Sequence, residues 1–236
     1  MKYTISIVLP LYNEEAGIKS TLKNLVPVLK QSFLNYEIII VESGSTDKSG
    51  ELADRAAKNN SKIRVIHQGE RKGYGNAIRE GLKHCRYNLS MYIDCDNPYD
   101  FKYLKEALKY IGDYDAVIGY KQGKRETFGR LILSKGANLI SKLLFRLNVK
   151  DVNYPFKMIK TYFVKKMSLL SNNSFIAAEI LIELKKQKTK IKEILVPHKT
   201  RTEGKSKFMD FRKVISEHLI DIGRCLKKSI RNQYVK

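Results

Sequence analysis

The stretch TISIVLP, residues Thr4–Pro10, is a short apolar run closed by a proline, and a segment with helical periodicity follows it. Between residues 14 and 33, apolar side chains recur every three or four positions, as they do on one face of a helix. These positions are Ile18, Leu22, Leu25 and Leu29. The start of the chain therefore predicts a strand, a loop and a helix.

The same strand-then-helix unit recurs along the first half of the chain. The further predicted strands are Tyr36–Val41, Ile63–Ile66, Asn88–Ile93 and Asp115–Ile118, and the further predicted helices are Asp47–Lys58, Tyr74–His84 and Phe101–Tyr110. Mainly apolar strands that alternate with amphipathic helices predict a Rossmann-like α/β fold, in which helices cover both faces of a mostly parallel sheet. In such a sheet the ligand site lies beyond the carboxyl ends of the strands, so the loops that follow the strands are the candidate site.

The pattern changes after residue 119. Arg130–Leu147 carries apolar residues mainly on one side and basic residues elsewhere, which predicts an amphipathic helix. Farther along, Ala177–Lys186 predicts a helix, Ile191–Val196 predicts a strand, and residues from about 208 to 228 predict a basic amphipathic helix. We therefore expect C-terminal amphipathic helices in addition to the sheet.

The net charge of +21 is concentrated in the second half of the chain. Residues 1–119 contain 17 Lys and Arg against 15 Asp and Glu, whereas residues 120–236 contain 28 against 9. This asymmetry predicts a polyanionic partner for the second half, which could be nucleic acid, anionic lipid or a phosphorylated substrate. A nucleic-acid-binding protein is disfavoured, because there is no zinc-ligand spacing and no aromatic RNA-binding signature.

The hydropathy and cysteine patterns bear on location. The longest apolar runs fall far short of the roughly 20 residues that a membrane span needs, and the N-terminus leads directly into a strand. We therefore expect a protein that is soluble or lies on a membrane without crossing it. Three cysteines, Cys85, Cys95 and Cys225, show no paired spacing, which predicts free thiols and a cytoplasmic location.

Asp94-Cys95-Asp96 directly follows the fourth predicted strand, so two carboxylates are expected at the carboxyl end of the sheet. Their hard oxygen atoms suit Mg²⁺ or Mn²⁺, which would neutralise a diphosphate and stabilise it as it leaves. The alternative is a strand end followed by a turn built from Asp, Asn and Pro, without a ligand.

Two other loops offer groups that could contact a ligand. The loop Glu42–Asp47 contains a carboxylate and a flexible glycine, which suit a ribose or a base, or else Ser45 or Thr46 caps the next helix. In Arg71–Asn76, Gly73 and Gly75 would let the backbone approach a phosphate at a helix N-terminus, or simply form a tight turn.

Four motifs in this order resemble those of the family-two inverting glycosyltransferases. They are Val8–Glu15, Glu37–Asp47, Gly73–Gly81 and Asp94–Asp96. Asp151–Lys157 and Arg201–Lys207 extend the likeness to the dolichyl-phosphate mannose synthase-like branch, which transfers sugars to polyprenyl phosphates. Together the matches cover roughly residues 4–208.

The resemblance implies an A-type glycosyltransferase fold and a role for each matching position. Residues implied to bind the nucleotide sugar are Pro10, Tyr12, Glu14, Glu42, Gly73, Gly75, Arg79 and Lys121. Asp94 and Asp96 are implied to be catalytic and to hold the Mg²⁺ or Mn²⁺ ion, and Arg130, Asn138, Arg201 and Lys207 are implied to bind acceptor and phosphates. Residues 1–119 would be the nucleotide-sugar-binding half, 120–207 the acceptor-binding half, and 208–236 a basic C-terminal helix and tail.

The chain also departs from the pattern of the family it resembles. Glu42-Ser43 replaces the usual Asp-Asp, Lys121 replaces Arg, and Pro155 replaces Gly, so the resemblance does not choose between a GDP and a UDP sugar as donor. Pro98 lies where some relatives place a third metal ligand, so the ion would be held by Asp96, the diphosphate and water.

The resemblance implies inverting transfer of a hexosyl group from a GDP-mannose or UDP-glucose type donor to a polyprenyl or dolichyl phosphate at the cytoplasmic face of a membrane. A phosphate monoester ionises a second time near pH ~6, so such an acceptor needs no general base. A soluble glycan or other hydroxyl acceptor would need one, with Asp151 and Glu179 as candidates. A catalytically silent homologue is a third possibility. The amphipathic helices would rest on an anionic membrane surface or pack on the sheet.

Overall fold

A computed structural model of the protein describes residues 2–96, 99–121, 140–197, 216 and 219–227. The strands are β1 Thr4–Leu11, β2 Asn35–Glu42, β3 Ile63–His67, β4 Leu89–Tyr92, β5 Ala116–Tyr120, β6 Lys157–Lys160 and β7 Ile191–Leu195. The helices are α1 Glu15–Ser32, α2 Ser49–Asn59, α3 Tyr74–Lys83, α4 Lys102–Leu108, α5 Thr161–Lys165 and α6 Ile176–Lys186, and residues 140–145 and 219–227 are also helical. The strands and helices predicted up to residue 119 are therefore confirmed.

The described strands form one sheet in the order β3-β2-β1-β4-β6-β5-β7. Every neighbouring pair is parallel except those of β6, which runs antiparallel to both β4 and β5. The mostly parallel sheet is confirmed, but the sequence did not predict β6. Its four residues, Lys-Met-Ile-Lys, have a lysine at each end and are too few for a recognisable alternation.

Helices lie on both faces of the sheet because successive strand residues point to opposite sides. In β1, Ile7 and Leu9 belong to one buried cluster with Leu25 of α1 and Leu104 of α4. Val8 points the other way, into a second cluster that also holds residues of α3 and α6. Full burial of such an aliphatic side chain contributes about 1.5–3 kcal/mol. The two clusters confirm the predicted helix layers on both faces.

Gly81 allows α3 to lie unusually close to the sheet. A Cβ atom at this position would lie 2.2 Å from Cγ1 of Val8, in the middle of β1. Because this close contact fixes the last turns of α3 against β1, the first turn of α3 lies near the carboxyl ends of the strands. The N-terminal residues of α3 therefore lie at the predicted site.

Several predictions fall outside the described residues. Arg130, Asn138, Arg201 and Lys207 all lie there, as does most of the helix predicted at residues 130–147. The division at residues 119 and 207 stays a prediction. Across the described ranges, no helix is long and apolar enough to cross a membrane.

Candidate functional site

A cavity of about 370 Å³ lies at the carboxyl ends of β1 and β4. Six residues that the sequence predicted for the site line it, namely Pro10, Tyr12, Glu14, Gly73, Asp94 and Asp96. Ser43, Arg71 and Tyr74 also line it. We call this cavity the cleft.

The loop Asp94–Asp96 is held between α1 and β1 by close backbone contacts. A Cβ atom on Gly17, in the first turn of α1, would lie 2.0 Å from the carbonyl oxygen of Cys95. The Cys95 thiol is buried and donates to the carbonyl oxygen of Pro10 at 3.6 Å. Cys95 is held by contacts on both sides. Asp94 and Asp96, the residues before and after it, therefore line the cleft.

Tyr74 is a cleft residue that sequence reasoning missed. Its hydroxyl donates a hydrogen bond of 2.6 Å to Oδ1 of Asp94. Burial of the hydroxyl, with the negative charges of Asp94 and Asp96 nearby, holds the pKa of Tyr74 well above its ordinary value of 10. The phenol therefore stays protonated and acts as a hydrogen-bond donor to an ionised carboxylate. Tyr74 lies within the loop Arg71–Asn76 that the sequence indicated, but the prediction rested on the glycines on either side of it.

The loops after β1 and β2 are joined by side-chain hydrogen bonds. Asn13, which has a positive φ of 50°, donates its backbone N–H to Ser45 Oγ at 3.1 Å and accepts the Thr46 N–H at 2.8 Å. The Glu14 N–H donates to Ser49 Oγ at 2.8 Å. The capping role considered for Ser45 or Thr46 is wrong, because α2 has no side-chain cap and these residues hold the β1 loop instead.

Glu42 is turned away from the cleft and towards α2. Its Oε1 accepts the Ser45 N–H at 2.5 Å, and its Oε2 lies 3.2 Å from Nδ1 of His67. Burial opposes the charge, but the hydrogen bonds from Ser45 and His67 outweigh it and lower the pKa of Glu42 below its ordinary value of 4.5. Both carboxylate oxygens therefore have partners within the protein. The role implied for Glu42, contact with a ribose or base, stays a prediction.

Gly73 and Gly75 make room for another part of the chain. Gly73 has a φ of 100°, and a Cβ atom there would lie 2.3 Å from the carbonyl oxygen of Asn172. A Cβ atom on Gly75 would lie 2.6 Å from the carbonyl oxygen of Asn173, and the Gly75 N–H donates to Asn172 at 2.8 Å. This N–H, which the sequence suggested for a phosphate, therefore binds the chain itself.

Arg79 donates hydrogen bonds to the same segment, residues 171–173. Its guanidinium donates to the carbonyl oxygen of Ser171 at 3.2 Å and to Oδ1 of Asn172 at 3.0 Å. Glu179 is buried and accepts the N–H groups of Leu170 and Ser171, both at 2.8 Å. Arg79 thus holds residues 171–173 in place, and it is not among the residues that line the cleft. Glu179 is likewise committed to the backbone, which removes it as a candidate general base.

In the described part of the chain, Arg71 lines the cleft and the charge of Lys157 interacts with that of Asp94. The Arg71 guanidinium lies 4.5 Å from the centre of the Tyr12 ring, a distance typical of a cation–π contact. Lys157 is buried and donates to the carbonyl oxygen of Tyr154 at 2.5 Å. Burial lowers the pKa of Lys157 to about 8, against the opposing charges of Asp151 and Asp94. Lys121 is described too, but the residues that line the cleft do not include it.

The donor atoms around the cleft suit a divalent ion that is only partly held by protein. Within the described part of the chain, no three His, Cys, Asp or Glu residues cluster as metal ligands. Asp94 and Asp96 supply hard carboxylate oxygens, which Mg²⁺ and Mn²⁺ prefer. One or two carboxylates with substrate phosphates and water is the usual surrounding of Mg²⁺. The residues therefore fit the predicted ion.

The strand order, the antiparallel β6 and the paired aspartates after β4 define an A-type glycosyltransferase fold. The sequence matches Glycosyl transferase family 2 over residues 6–169, and the chain belongs to this family.

Curated relatives cover most of this chain but are longer. Glycosyltransferase AglD of Haloferax volcanii is 27% identical over 212 residues, 85% of this chain and 34% of its own length. Dolichol-phosphate mannosyltransferase of Pyrococcus furiosus is 29% identical over 234 residues, 94% of this chain and 64% of its own. Undecaprenyl-phosphate 4-deoxy-4-formamido-L-arabinose transferase of Pseudomonas fluorescens is 27% identical over 214 residues, 89% of this chain and 61% of its own. The chain thus spans one third to two thirds of these relatives.

Solved structures support the fold. Glucosyl-3-phosphoglycerate synthase from Mycobacterium tuberculosis, in complex with Mn²⁺, UDP and glucosyl-3-phosphoglycerate, matches with a TM-score of 0.69 and 22% identity. The match covers 94% of this chain and 81% of that one. The predicted fold is therefore confirmed.

Proposed function

We propose that this chain transfers a hexosyl group, with inversion, from a nucleotide-diphosphate sugar to a polyprenyl phosphate. The observation that carries the proposal is the pair Asp94 and Asp96, which line a cleft at the carboxyl ends of β1 and β4. Two of the relatives are named for transfer to dolichol phosphate or undecaprenyl phosphate. The basic second half of the chain suits an acceptor of this charge.

The cleft offers groups for the base and for the diphosphate of a nucleotide-sugar donor. The Tyr12 ring, with Arg71 above it, provides a flat surface on which a base can stack. Asp94 and Asp96 would hold Mg²⁺ or Mn²⁺ against the diphosphate, and the ion would neutralise the charge that develops on the leaving group. Tyr74 orients Asp94 for this contact.

The acceptor supplies its own nucleophile. A phosphate monoester is largely ionised above pH ~6, so it attacks the anomeric carbon without a general base and needs only cations to position it. Residues proposed to bind the acceptor, from the resemblance, are Arg130, Asn138, Arg201 and Lys207, and Lys121 is proposed to bind the nucleotide sugar. The donor could carry GDP or UDP, and mannose or glucose.

We also propose that the protein works on the inner, cytoplasmic face of a membrane with anionic lipids. Leu143 and Leu144 in the helical residues 140–145 are 69% and 48% exposed, and Leu219 and Ile220 are 58% and 55% exposed. Large apolar side chains on the surface of a strongly basic protein are typical of helices that lie in the membrane interface. Liposome flotation with and without anionic lipid measures this association directly, and recovery of all the protein in the unbound fraction would contradict it.

The reaction is tested with purified protein, Mg²⁺ or Mn²⁺, a panel of GDP and UDP sugars, and a short-chain polyprenyl phosphate. Mass spectrometry of the lipid fraction should detect a glycosyl phospholipid. The variant Asp96→Asn should form this product about 100-fold more slowly or worse. Asp113→Asn is the matched control, because Asp113 is exposed in a turn and is not among the residues that line the cleft.

The other outcomes separate the alternatives. Nucleotide-sugar binding without lipid product would favour a soluble glycan or another hydroxyl acceptor. Absence of both binding and turnover would favour a catalytically silent homologue. Retention of nucleic acid at physiological salt by the purified protein would point to a nucleic-acid partner.

A further inference from the structure

His67 lies between two carboxylates, Glu42 and Asp54, and is not itself among the residues that line the cleft. It is the last residue of β3 and pairs in register with Glu42, the last residue of β2. Its Nδ1 lies 3.2 Å from Oε2 of Glu42, and its Nε2 lies 2.9 Å from Oδ1 of Asp54 in α2. One imidazole therefore links two strands of the sheet to the helix that covers them.

The two contacts cannot both be hydrogen bonds when the ring is neutral. A neutral imidazole has one N–H donor, whereas the imidazolium has two, and ionised carboxylates only accept. In the neutral ring, one nitrogen lone pair would face a carboxylate oxygen. The geometry is therefore satisfied only by protonated His67. In agreement, the hydrogen bond to Asp54 raises the pKa of His67, burial opposes this, and Glu42 raises it further.

The histidine is connected to the walls of the cleft by short chains of hydrogen bonds. Through Glu42, which accepts the Ser45 N–H at 2.5 Å, it reaches Ser45 Oγ and the N–H of Asn13. Asn13 stands between Tyr12 and Glu14, which both line the cleft. On the other side, Gln68 follows His67 in the chain and accepts the hydroxyl hydrogen bond of Ser43, another lining residue, at 2.9 Å.

We propose that protonated His67 is a positioning residue of the cleft: by tying Glu42 to Asp54, it holds the β1 and β2 loops in the arrangement that binds the donor nucleotide. This inference rests on the proposed function, because it assigns the nucleotide to the cleft. It also gives Glu42, which replaces the Asp of the family it resembles, a role of its own. The longer side chain reaches the histidine on the side of the sheet that α2 covers.

The direction of the pH dependence follows from the groups that face the ring. Among the described residues, these are Glu42 from β2 and Asp54 from α2. The folded-state pKa of His67 is raised, so the link is fully present below its ordinary pKa of 6.5 and is lost as the pH rises through the raised value. Glu42, with a lowered pKa, stays ionised over this range. Nucleotide binding should therefore weaken as the solution becomes alkaline.

The test measures dissociation constants of UDP and GDP by calorimetry from pH 6 to pH 8.5. Three proteins are compared, namely the unaltered protein, His67→Gln and His84→Gln. His84 is the matched control, since its ring is also partly exposed and contacts Glu80, and His84 is not among the residues that line the cleft. The second ionisation of the nucleotide phosphate affects all three proteins equally, so ratios between proteins remove it. His67 is 48% exposed, so an effect of about threefold is expected over this range.

The expected result is a Kd that rises with pH in the unaltered protein and in His84→Gln, but not in His67→Gln after the common ligand effect is divided out. Asp54→Asn is a second variant that keeps the ring and removes one carboxylate. It should shift the midpoint of the pH dependence, and the His67 titration seen by NMR, to lower pH. Equal pH dependence in all four proteins would overturn the role of His67 while leaving the proposed function intact. Absence of nucleotide binding at every pH would overturn both.

Discussion

The loop Asp94–Asp96 and the turn Gly73–Gly75 both follow a strand and both reach the carboxyl end of the sheet. The sequence suggested ligand contact for each. In the structure, Cys95 of the aspartate loop packs closely against Gly17 of α1, and the loop lines the cleft. The glycine turn also borders the cleft through Gly73, but its tight contacts are with residues 171–173. A motif at a strand end therefore identifies where chain segments meet, but not which groups face the ligand.

The largest effect is expected from Gly17→Ala, which acts on the aspartate loop. The new methyl group would lie 2.0 Å from the Cys95 carbonyl oxygen, and backbone cannot move aside cheaply. The free energy of unfolding should fall by about 3 kcal/mol in chemical denaturation. Calorimetry should show that the variant loses binding of UDP or GDP with Mn²⁺. Gly223→Ala is the control, because a Cβ atom at that helical glycine meets nothing within 4 Å.

Gly75→Ala tests the other loop and should cost about 2 kcal/mol of stability. Its methyl group would lie 2.6 Å and 2.8 Å from the carbonyl oxygens of Asn173 and Ser171. Since Gly75 does not line the cleft, loss of stability should exceed loss of nucleotide affinity, in contrast to Gly17→Ala. Unchanged stability with lost phosphate binding would reverse this assignment and restore the predicted ligand contact of Gly75.

Arg79→Gln is expected to cost about 1.5 kcal/mol, within the range for a charged hydrogen bond. It removes the guanidinium that holds Ser171 and Asn172 without adding bulk near the cleft. Thermal unfolding should detect the loss, and the Kd for nucleotide should change less than twofold when measured well below the melting temperature. A Kd increase of tenfold or more would show that Arg79 contacts the nucleotide, as the resemblance implied.

The contrast between the two loops also explains how far sequence reasoning reached. Strands and helices up to residue 119 follow from local periodicity, which needs no knowledge of distant residues. Pro10, Tyr12, Glu14, Asp94 and Asp96 line one cavity because the carboxyl ends of parallel strands meet at one edge. Each of these inferences uses only the chain position of a residue.

The features that the sequence did not predict depend on contacts between residues far apart in the chain. The strand β6 pairs with β4 and β5 only after a long excursion of the chain. Glu42 turns towards α2 because the alternation of β2 points it there, where Ser45 and His67 occupy its oxygens. The partners of Gly75 and Arg79 lie about 95 residues farther along the chain, and no local sequence pattern indicates them.

Tyr74 connects the two loops, and its substitution is expected to have the smallest effect on stability. Its side chain begins at the glycine turn, and its hydroxyl ends on Asp94 of the aspartate loop at 2.6 Å. Tyr74→Phe removes this donor and leaves the ring, so stability should fall by less than about 1 kcal/mol. The Kd for UDP or GDP with Mn²⁺ should rise about fivefold, because Asp94 loses the group that orients it.

Tyr162→Phe is the control for this change, since Tyr162 is 63% exposed on α5 and is not among the residues that line the cleft. It should leave both the Kd and the melting temperature unaltered. Tighter nucleotide binding by Tyr74→Phe would contradict the positioning role, because it would mean that the hydroxyl competes with the ligand for Asp94. An unchanged Kd would mean that the Tyr74 hydroxyl does not orient Asp94 for nucleotide binding, and the two loops would then work independently.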